Sequence, residues 1–143
     1  MAKIKVFLDT DVVISSLLSK TGASHEVINS SKIEKFISKQ VKKEVLEVSK
    51  RYNISTQEIE FVFKNTGLIS LKISKKSLIN DYGEYVSDEQ DTHVVFGALK
   101  AKVKFLLTHN TKHYNIEKIR KDLDLQILKP GNFLQYLRSK NKF

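Results

Sequence analysis

Five acidic residues stand where their carboxylates could act together. Asp9 closes a β-branched and aromatic run, and Asp11 opens the helix predicted to follow it. Because successive helical residues differ by about 100°, Glu44 falls on the apolar stripe of its helix, and Asp88 and Asp91 share the apolar side of a later one. Carboxylates that face inward destabilise a fold unless they are paired or bind a metal. These acids therefore need a shared explanation.

A divalent cation provides one explanation. The chain has no cysteine, and no histidine stands at metal-ligand spacing, so the predicted ligands are all oxygens. Such a set favours Mg²⁺ or Mn²⁺, which are commonly held by few carboxylates together with water and substrate phosphate. Three of these acids also have a structural interpretation: Asp88 caps a helix, Asp91 is a first-turn acid favoured by the helix dipole, and Glu44 pairs with a lysine. Three histidines are interpreted as surface residues: His25, His93 and His109.

The segments that must position these acids alternate between strand-like and helix-like patterns. Strands are predicted over residues 3–8, 33–37, 68–73, 104–108 and 126–128. Helices are predicted over 11–19, 24–31 with Ser24 as the cap, from Ser38, from Ser55 to near Gly67, 88–101 and 130–138, with a short helix or loop over 75–87. This order predicts a three-layer α/β/α sandwich around a central, mostly parallel sheet of about five strands. Ligands bind at the carboxyl edge of such a sheet.

Composition narrows the class of protein. The 143 residues, 41% of them hydrophobic, fit one domain, which we expect over 1–138 with a frayed tail over 139–143. The absence of cysteine excludes disulfide frameworks, thiolate zinc sites and a cysteine nucleophile. Apolar runs are far shorter than the roughly 20 residues of a membrane span, and no secretory signal is recognised. We therefore expect a cytoplasmic protein without a membrane partner.

The positive charge is concentrated in two segments. The formal net charge is +9, and residues 32–51 carry seven Lys and Arg against three acids, while residues 112–143 carry eight against three. Such patches are typical of a surface that binds a polyphosphate, and a solubilising surface has the same composition. If the partner is RNA, the predicted contacts are Lys42, Lys43 and Lys112.

Four segments match a known pattern in the right order. They are VFLDTDVVIS at 6–15, DEQD at 88–91 with Ala98 seven residues after Asp91, FLLTHNTKHY at 105–114, and LKPGNFL at 128–134. Together these segments resemble the PIN-domain ribonucleases, a family that includes the toxin endoribonucleases of the VapC type. The resemblance spans nearly the whole chain and is weakest over 52–87.

The resemblance implies a metal-dependent endoribonuclease that hydrolyses phosphodiester bonds of single-stranded or structured RNA with Mg²⁺ or Mn²⁺. The implied residues are Asp9, Glu44 and Asp91 in catalysis, Asp9, Asp91, Asn110 and Asp88 as metal ligands, and Thr108 and Asp11 in support. Many members have Asp where this chain has Asn110, and usually Asn where it has Asp11. The implied partners are RNA, an antitoxin protein and a second copy of the chain.

Two other functions fit part of the pattern. The run from Phe7 to Val13 is similar to the opening of the haloacid-dehalogenase-like phosphatases, with Asp9 as the nucleophile, but the later acids precede Thr108 instead of following it. A PIN-like module that binds RNA or protein without catalysis is the second alternative, because Asn110 removes one negative charge from the site.

Overall fold

The structure, a computed structural model, describes residues 3–140, and its centre is a parallel β-sheet. The five strands are β1 (Ile4–Leu8), β2 (Ile33–Ser38), β3 (Thr66–Ile69), β4 (Phe105–Leu107) and β5 (Gln126–Leu128). They lie in the order β3-β2-β1-β4-β5, and every neighbouring pair is parallel. The predicted α/β fold with a five-stranded parallel sheet is confirmed.

Over the same residues, eight α-helices flank the sheet. They are α1 (Thr10–Leu18), α2 (Ala23–Asn29), α3 (Lys39–Arg51), α4 (Thr56–Lys64), α5 (Lys75–Tyr82), α6 (Thr92–Lys100), α7 (Ile116–Leu123) and α8 (Pro130–Ser139). Single 3₁₀ turns cover Gly83–Tyr85, Glu89–Asp91 and Thr111–His113. The hydroxyls of Ser38 and Ser55 cap α3 and α4 as predicted, each accepting a bond from a backbone N–H three residues later.

The two strands at the centre of the sheet are buried on both faces. Val6, Phe7 and Leu8 of β1 are fully buried, as are Leu106 and Leu107 of β4. Continuous apolar runs of this kind are expected where helices cover both sides of a parallel sheet. Their carboxyl ends, at residues 8 and 107, therefore form a rigid edge on which site residues can be held.

Gly97 allows α6 to lie against this central strand. A Cβ atom added at Gly97 would stand 2.5 Å from the ring of Phe7, closer than real Cβ contacts allow. The absence of a side chain at Gly97 therefore lets the helix approach β1. This close packing brings the start of α6 near the end of β1.

The structure corrects the sequence-based boundaries at several places. The helix that begins after Ser55 ends at Lys64, and Gly67 lies inside β3, where the ring of Phe36 occupies the position of its missing Cβ. Ser24 is the second residue of α2 and not its cap; its hydroxyl lies 2.9 Å from Nε2 of His109.

A helix was missed in the second basic segment. In helix α7, Ile119 is buried and Ile116 and Leu123 are half-buried. These three residues form a narrow apolar pattern at i, i+3 and i+7, which is hard to recognise because the other residues of the helix are mostly charged. Helix α8 extends to Ser139, and residues 141–143 of the predicted tail lie outside the described residues. Over 3–140, the chain contains no helix with the length and apolar character needed to span a bilayer.

Candidate active site

Asp9 is fixed by three hydrogen bonds at the end of β1. The residue is 9% exposed and forms the N-cap of α1, where Oδ1 accepts from the backbone N–H of Thr10 at 2.7 Å. Its Oδ2 accepts from the hydroxyls of Thr108 and Tyr114, both at 2.9 Å. An ionised carboxylate has about four acceptor positions. Three donors therefore orient Asp9 and leave it room for a further ligand.

Asp11 binds the loop that follows β4. Both of its oxygens lie 3.2 Å from the backbone N–H of His109, and Oδ2 is also 3.2 Å from the hydroxyl of Thr108. Burial, followed by the charge of Asp9, raises the pKa of Asp11 from 3.8 to about 6. The hydroxyl of Thr108 also accepts from the N–H of Asn110, so this residue connects two acids with the loop.

Asp91 faces the site from the 3₁₀ turn before α6. Its Oδ2 is buried and lies 3.4 Å from Nδ1 of His113, but it has no hydrogen-bond partner within residues 3–140. Burial, then the negative charge of Asp9, raises the pKa of Asp91. The described side chains therefore leave this carboxylate incompletely satisfied beside a like charge.

Glu44 lies on α3 and is held at both oxygens. Oε1 accepts from the hydroxyl of Thr10 at 2.6 Å, and Oε2 is 3.1 Å from Nε2 of His93. Burial opposes ionisation, but the bonds from His93 and Thr10 outweigh it and lower the pKa of Glu44. Glu44 is therefore an ionised carboxylate whose orientation the protein itself fixes.

These side chains line one open cleft at the carboxyl edge of the sheet. The cleft has a volume of about 510 Å³, and its polar lining includes Asp9, Asp11, Glu44, Asp91, Asn110 and His113. The edge predicted from the parallel sheet is thus where four of the five singled-out acids come together. We name this cavity the acid cleft.

Comparison with known proteins gives the family. A sequence model described as "PIN domain" matches residues 5–112, a range that contains the four acids of the acid cleft together with Asn110. The chain belongs to the PIN domain family. PIN-domain proteins are generally nucleases, and the family assignment sets aside the phosphatase alternative.

Solved structures share the fold of this PIN domain. A toxin–antitoxin complex from Klebsiella pneumoniae is 17% identical, with a TM-score of 0.65 over 87% of this chain and 97% of the other. VapBC2 from Rickettsia felis, bound to a promoter DNA fragment, is 11% identical, with a TM-score of 0.61 over 88% and 98%. VapBC-1 from nontypeable Haemophilus influenzae is 16% identical, with a TM-score of 0.58 over 90% and 99%. The chain has no match among curated proteins.

The other predicted site residues lie outside the acid cleft. Asp88 is exposed, and its carboxylate accepts from the N–H of Gln90 at 3.0 Å, which is the capping role that the sequence also allowed. The ammonium group of Lys42 lies 5.1 Å from the ring centre of Phe63. Lys43 and Lys112 are exposed, Lys112 on the turn directly after Asn110.

Two residues beside the PIN-domain acids were not found from the sequence. The interpretation of His93 as a surface residue was wrong, because it is 8% exposed and pairs with Glu44. The helical wheel placed it opposite the apolar side, but α6 is buried on nearly all of its faces, so the residues opposite that side are buried as well. Tyr114 is separated from Asp9 by 105 positions, and no local pattern indicates such a contact.

The chemistry of the PIN-domain acids fits a weakly coordinated divalent cation. No group of three or more His, Asp or Glu side chains within 3–140 stands close enough to form a complete metal cage. Mg²⁺ seldom needs one, because it retains several waters and binds one or two carboxylates with substrate phosphate. The buried Oδ2 of Asp91 has no hydrogen-bond partner within residues 3–140 and lies close to the charge of Asp9, so it is the atom that such a cation would bind.

Proposed function

We propose that this PIN domain is a metal-dependent endoribonuclease and the toxin of a toxin–antitoxin pair. The observation that carries the nuclease proposal is the acid cleft, where the buried oxygen of Asp91 has no hydrogen-bond partner among the described residues and lies near the charge of Asp9. Asp9 and Asp91 are the proposed ligands of Mg²⁺ or Mn²⁺. Asn110 lines the same cleft, and its side-chain oxygen is the proposed third ligand.

The acids of the cleft have different proposed roles in hydrolysis. A bound divalent cation supplies an acidified water and positive charge against the phosphate oxygens. Asp9 stays in one orientation because Thr10, Thr108 and Tyr114 hold it. Glu44, ionised because its pKa is lowered, offers a fixed acceptor for a proton of water in the cleft. Asp11 holds the loop that carries Asn110 through the N–H of His109.

The proposed substrate is RNA, bound through its backbone. Lys43 and Lys112 are exposed on either side of the acids, on α3 and on the turn after Asn110. Lysines placed in this way neutralise phosphates on both sides of the cleaved bond. The proposed ligand role of Asp88 is secondary, because its carboxylate already caps the 3₁₀ turn.

The similar solved structures are toxin–antitoxin complexes, which supports an antitoxin as the protein partner and a soluble, cytoplasmic setting. A second copy of the chain is a further proposed partner. We expect expression of the chain alone to arrest growth, and co-expression of the product of an adjacent gene to restore it. Normal growth when the folded chain is expressed alone would contradict the toxin role.

The test of the nuclease proposal is cleavage of a defined single-stranded RNA by purified protein. We expect cleavage with Mg²⁺ or Mn²⁺, none in EDTA, and none after Asp9→Asn or Asp91→Asn. Glu47→Gln is the matched control, since it removes one exposed carboxylate from α3 without touching the cleft. RNA binding without cleavage under every metal condition would instead establish the non-catalytic module.

A further inference from the structure

A second cavity adjoins the acid cleft, and Glu44 forms part of both walls. It has a volume of about 580 Å³ and lies between α3, the start of α5 and the start of α6. We name it the lysine pocket. Its lining includes Lys39, Lys43 and Lys75 as well as Leu71, Ile73 and Leu78. A cavity of roughly 300–1,000 Å³ is large enough for a drug-sized ligand.

Three lysines stand against two acids in the lysine pocket, Glu44 and Glu89, and Glu44 is already paired with Thr10 and His93, so the wall favours an anion. Lys39 and Lys43 lie one turn apart on α3, and Lys75 is the first residue of α5. None of the three has an ion-pair partner within residues 3–140. The backbone N–H groups at the starts of these two helices add to the positive potential. Phosphate is the anion that both lysines and helix starts bind well.

The remaining wall suits a nucleobase. Leu71, Ile73 and Leu78 give the pocket an apolar floor, and the amides of Gln40 and Gln90 stand beside it. Apolar side chains pack against the face of a base, while side-chain amides bind its edge. An acidic peptide would use the lysines but would leave this floor without a matching surface.

His93 adds a polar side chain to the wall of the pocket. His93 lines the lysine pocket, is 8% exposed, and has an Nδ1 atom with no hydrogen-bond partner in the described part of the chain. Its other nitrogen, Nε2, pairs with Glu44. The pocket therefore includes a nearly buried polar side chain whose bonding capacity is not used.

We propose that the lysine pocket binds one nucleotide of the RNA strand next to the bond that is cleaved. The nucleotide's phosphate contacts Lys39, Lys43 and Lys75, and its base packs on Leu71 and Ile73. Because Glu44 belongs to both cavities, a strand that enters the acid cleft continues into this pocket. The assignment rests on the proposed nuclease function and adds to it a subsite that selects a base.

The test measures binding of a labelled six-nucleotide RNA in EDTA, where cleavage does not interfere. Lys43→Gln with Lys75→Gln should weaken binding at least about tenfold, or about 1.4 kcal/mol. The matched control is Lys50→Gln with Lys76→Gln, which removes two exposed charges from the same helices outside the pocket. We expect less than about a twofold loss for this control.

A second arm tests the base. In a series of RNAs that each lack one base, we expect one position to lower the affinity of the parent protein at least about fivefold, as loss of one packed base does. The same RNA should lower the affinity of the Lys43→Gln, Lys75→Gln protein by a much smaller factor. Equal losses in the two double variants, no measurable RNA binding, or no sensitive position would overturn the proposal.

The outcomes separate the subsite from the nuclease. RNA cleavage with equal affinity losses in both double variants overturns the subsite and retains the nuclease. If RNA binding depends on the pocket lysines but the protein cleaves no RNA with Mn²⁺, the subsite proposal stands and the nuclease proposal is wrong. If the pocket lysines affect only the binding of a protein partner, the pocket holds an acidic segment and the nucleotide assignment is wrong.

Discussion

The α3 wall and the α6 wall of the acid cleft each present a carboxylate, but the protein holds the two in opposite ways. On α3, both oxygens of Glu44 have donors, and its pKa is lowered. Before α6, Asp91 has a buried oxygen without a hydrogen-bond partner in the described part of the chain, 3.4 Å from Nδ1 of His113, and burial and the charge of Asp9 raise its pKa. The fold stabilises the first charge and is destabilised by the second.

This difference assigns the two walls different tasks. A carboxylate that the protein has already satisfied has little to gain from a cation, so Glu44 is suited to orient water or accept a proton. A carboxylate that the protein leaves unsatisfied gains most from a cation. Substitution of each residue should therefore change stability with opposite sign.

The largest effect is expected from Asp91→Asn. RNA cleavage should fall at least about 100-fold, because a proposed metal ligand is lost. Without metal, the variant should melt at a higher temperature, because burial and the charge of Asp9 both disfavour the ionised form of Asp91. Cleavage assays and thermal melts in EDTA measure the two parts. A lower melting temperature would show that Asp91 is already satisfied in the folded protein.

A smaller effect is expected from Asn110→Asp, which adds a negative charge to the acid cleft. Affinity for Mn²⁺ should rise about tenfold, as expected for one more anionic ligand on a hard cation. The rise in melting temperature on addition of Mn²⁺ should also exceed that of the parent. Calorimetric titration and melting test these points, and equal metal affinity would place Asn110 outside the site.

Glu44→Gln should destabilise the protein by about 1 kcal/mol or less, and only above acid pH. Because the pKa of Glu44 is lowered from 4.5 in the folded state, its charge stabilises the fold above that pH. The contribution disappears as pH falls through the folded pKa. Urea unfolding should give a larger difference between the parent and the variant at pH 7 than at pH 3.5, with Glu47→Gln as the control. A pH-independent difference would mean lost packing instead of lost charge.

The smallest effect is expected for Lys112, the proposed contact with the RNA backbone that lies outside both cavities. Lys112→Gln should reduce the slope of log affinity against log salt by about 0.7, the value for one contact with a single strand. Lys121→Gln on α7 removes an equally exposed charge away from the acids and should leave the slope unchanged. Equal slopes for the parent and Lys112→Gln would remove that lysine from the RNA path.

The sequence predicted what depends on long or continuous patterns. The buried strands β1 and β4 are continuous apolar runs. Because parallel sheets bind ligands at the carboxyl ends of their strands, the sequence also predicted the positions of Asp9 and Asp11. The sequence also predicted the helix that carries Glu44, because its apolar stripe is regular and Ser38 caps it.

The rest depends on contacts that the local sequence does not encode. Helix α6 is buried on nearly all of its faces, so His93 is buried although the wheel places it opposite the apolar side. Tyr114 meets Asp9 only through tertiary packing. The lysine pocket needs residues from α3, the segment 70–75 and α6, and the middle segment has no periodic pattern that would place it beside the others.

The central claim is that a divalent cation binds between Asp9 and Asp91. Crystals soaked in Mn²⁺ and measured at the manganese absorption edge test it directly, since the anomalous signal locates the ion independently of activity. We expect one strong peak within coordination distance of carboxylate oxygens of both residues, and no such peak in crystals of Asp91→Asn. A peak at the exposed carboxylate of Asp88, or no peak in the acid cleft of the parent protein, would contradict it.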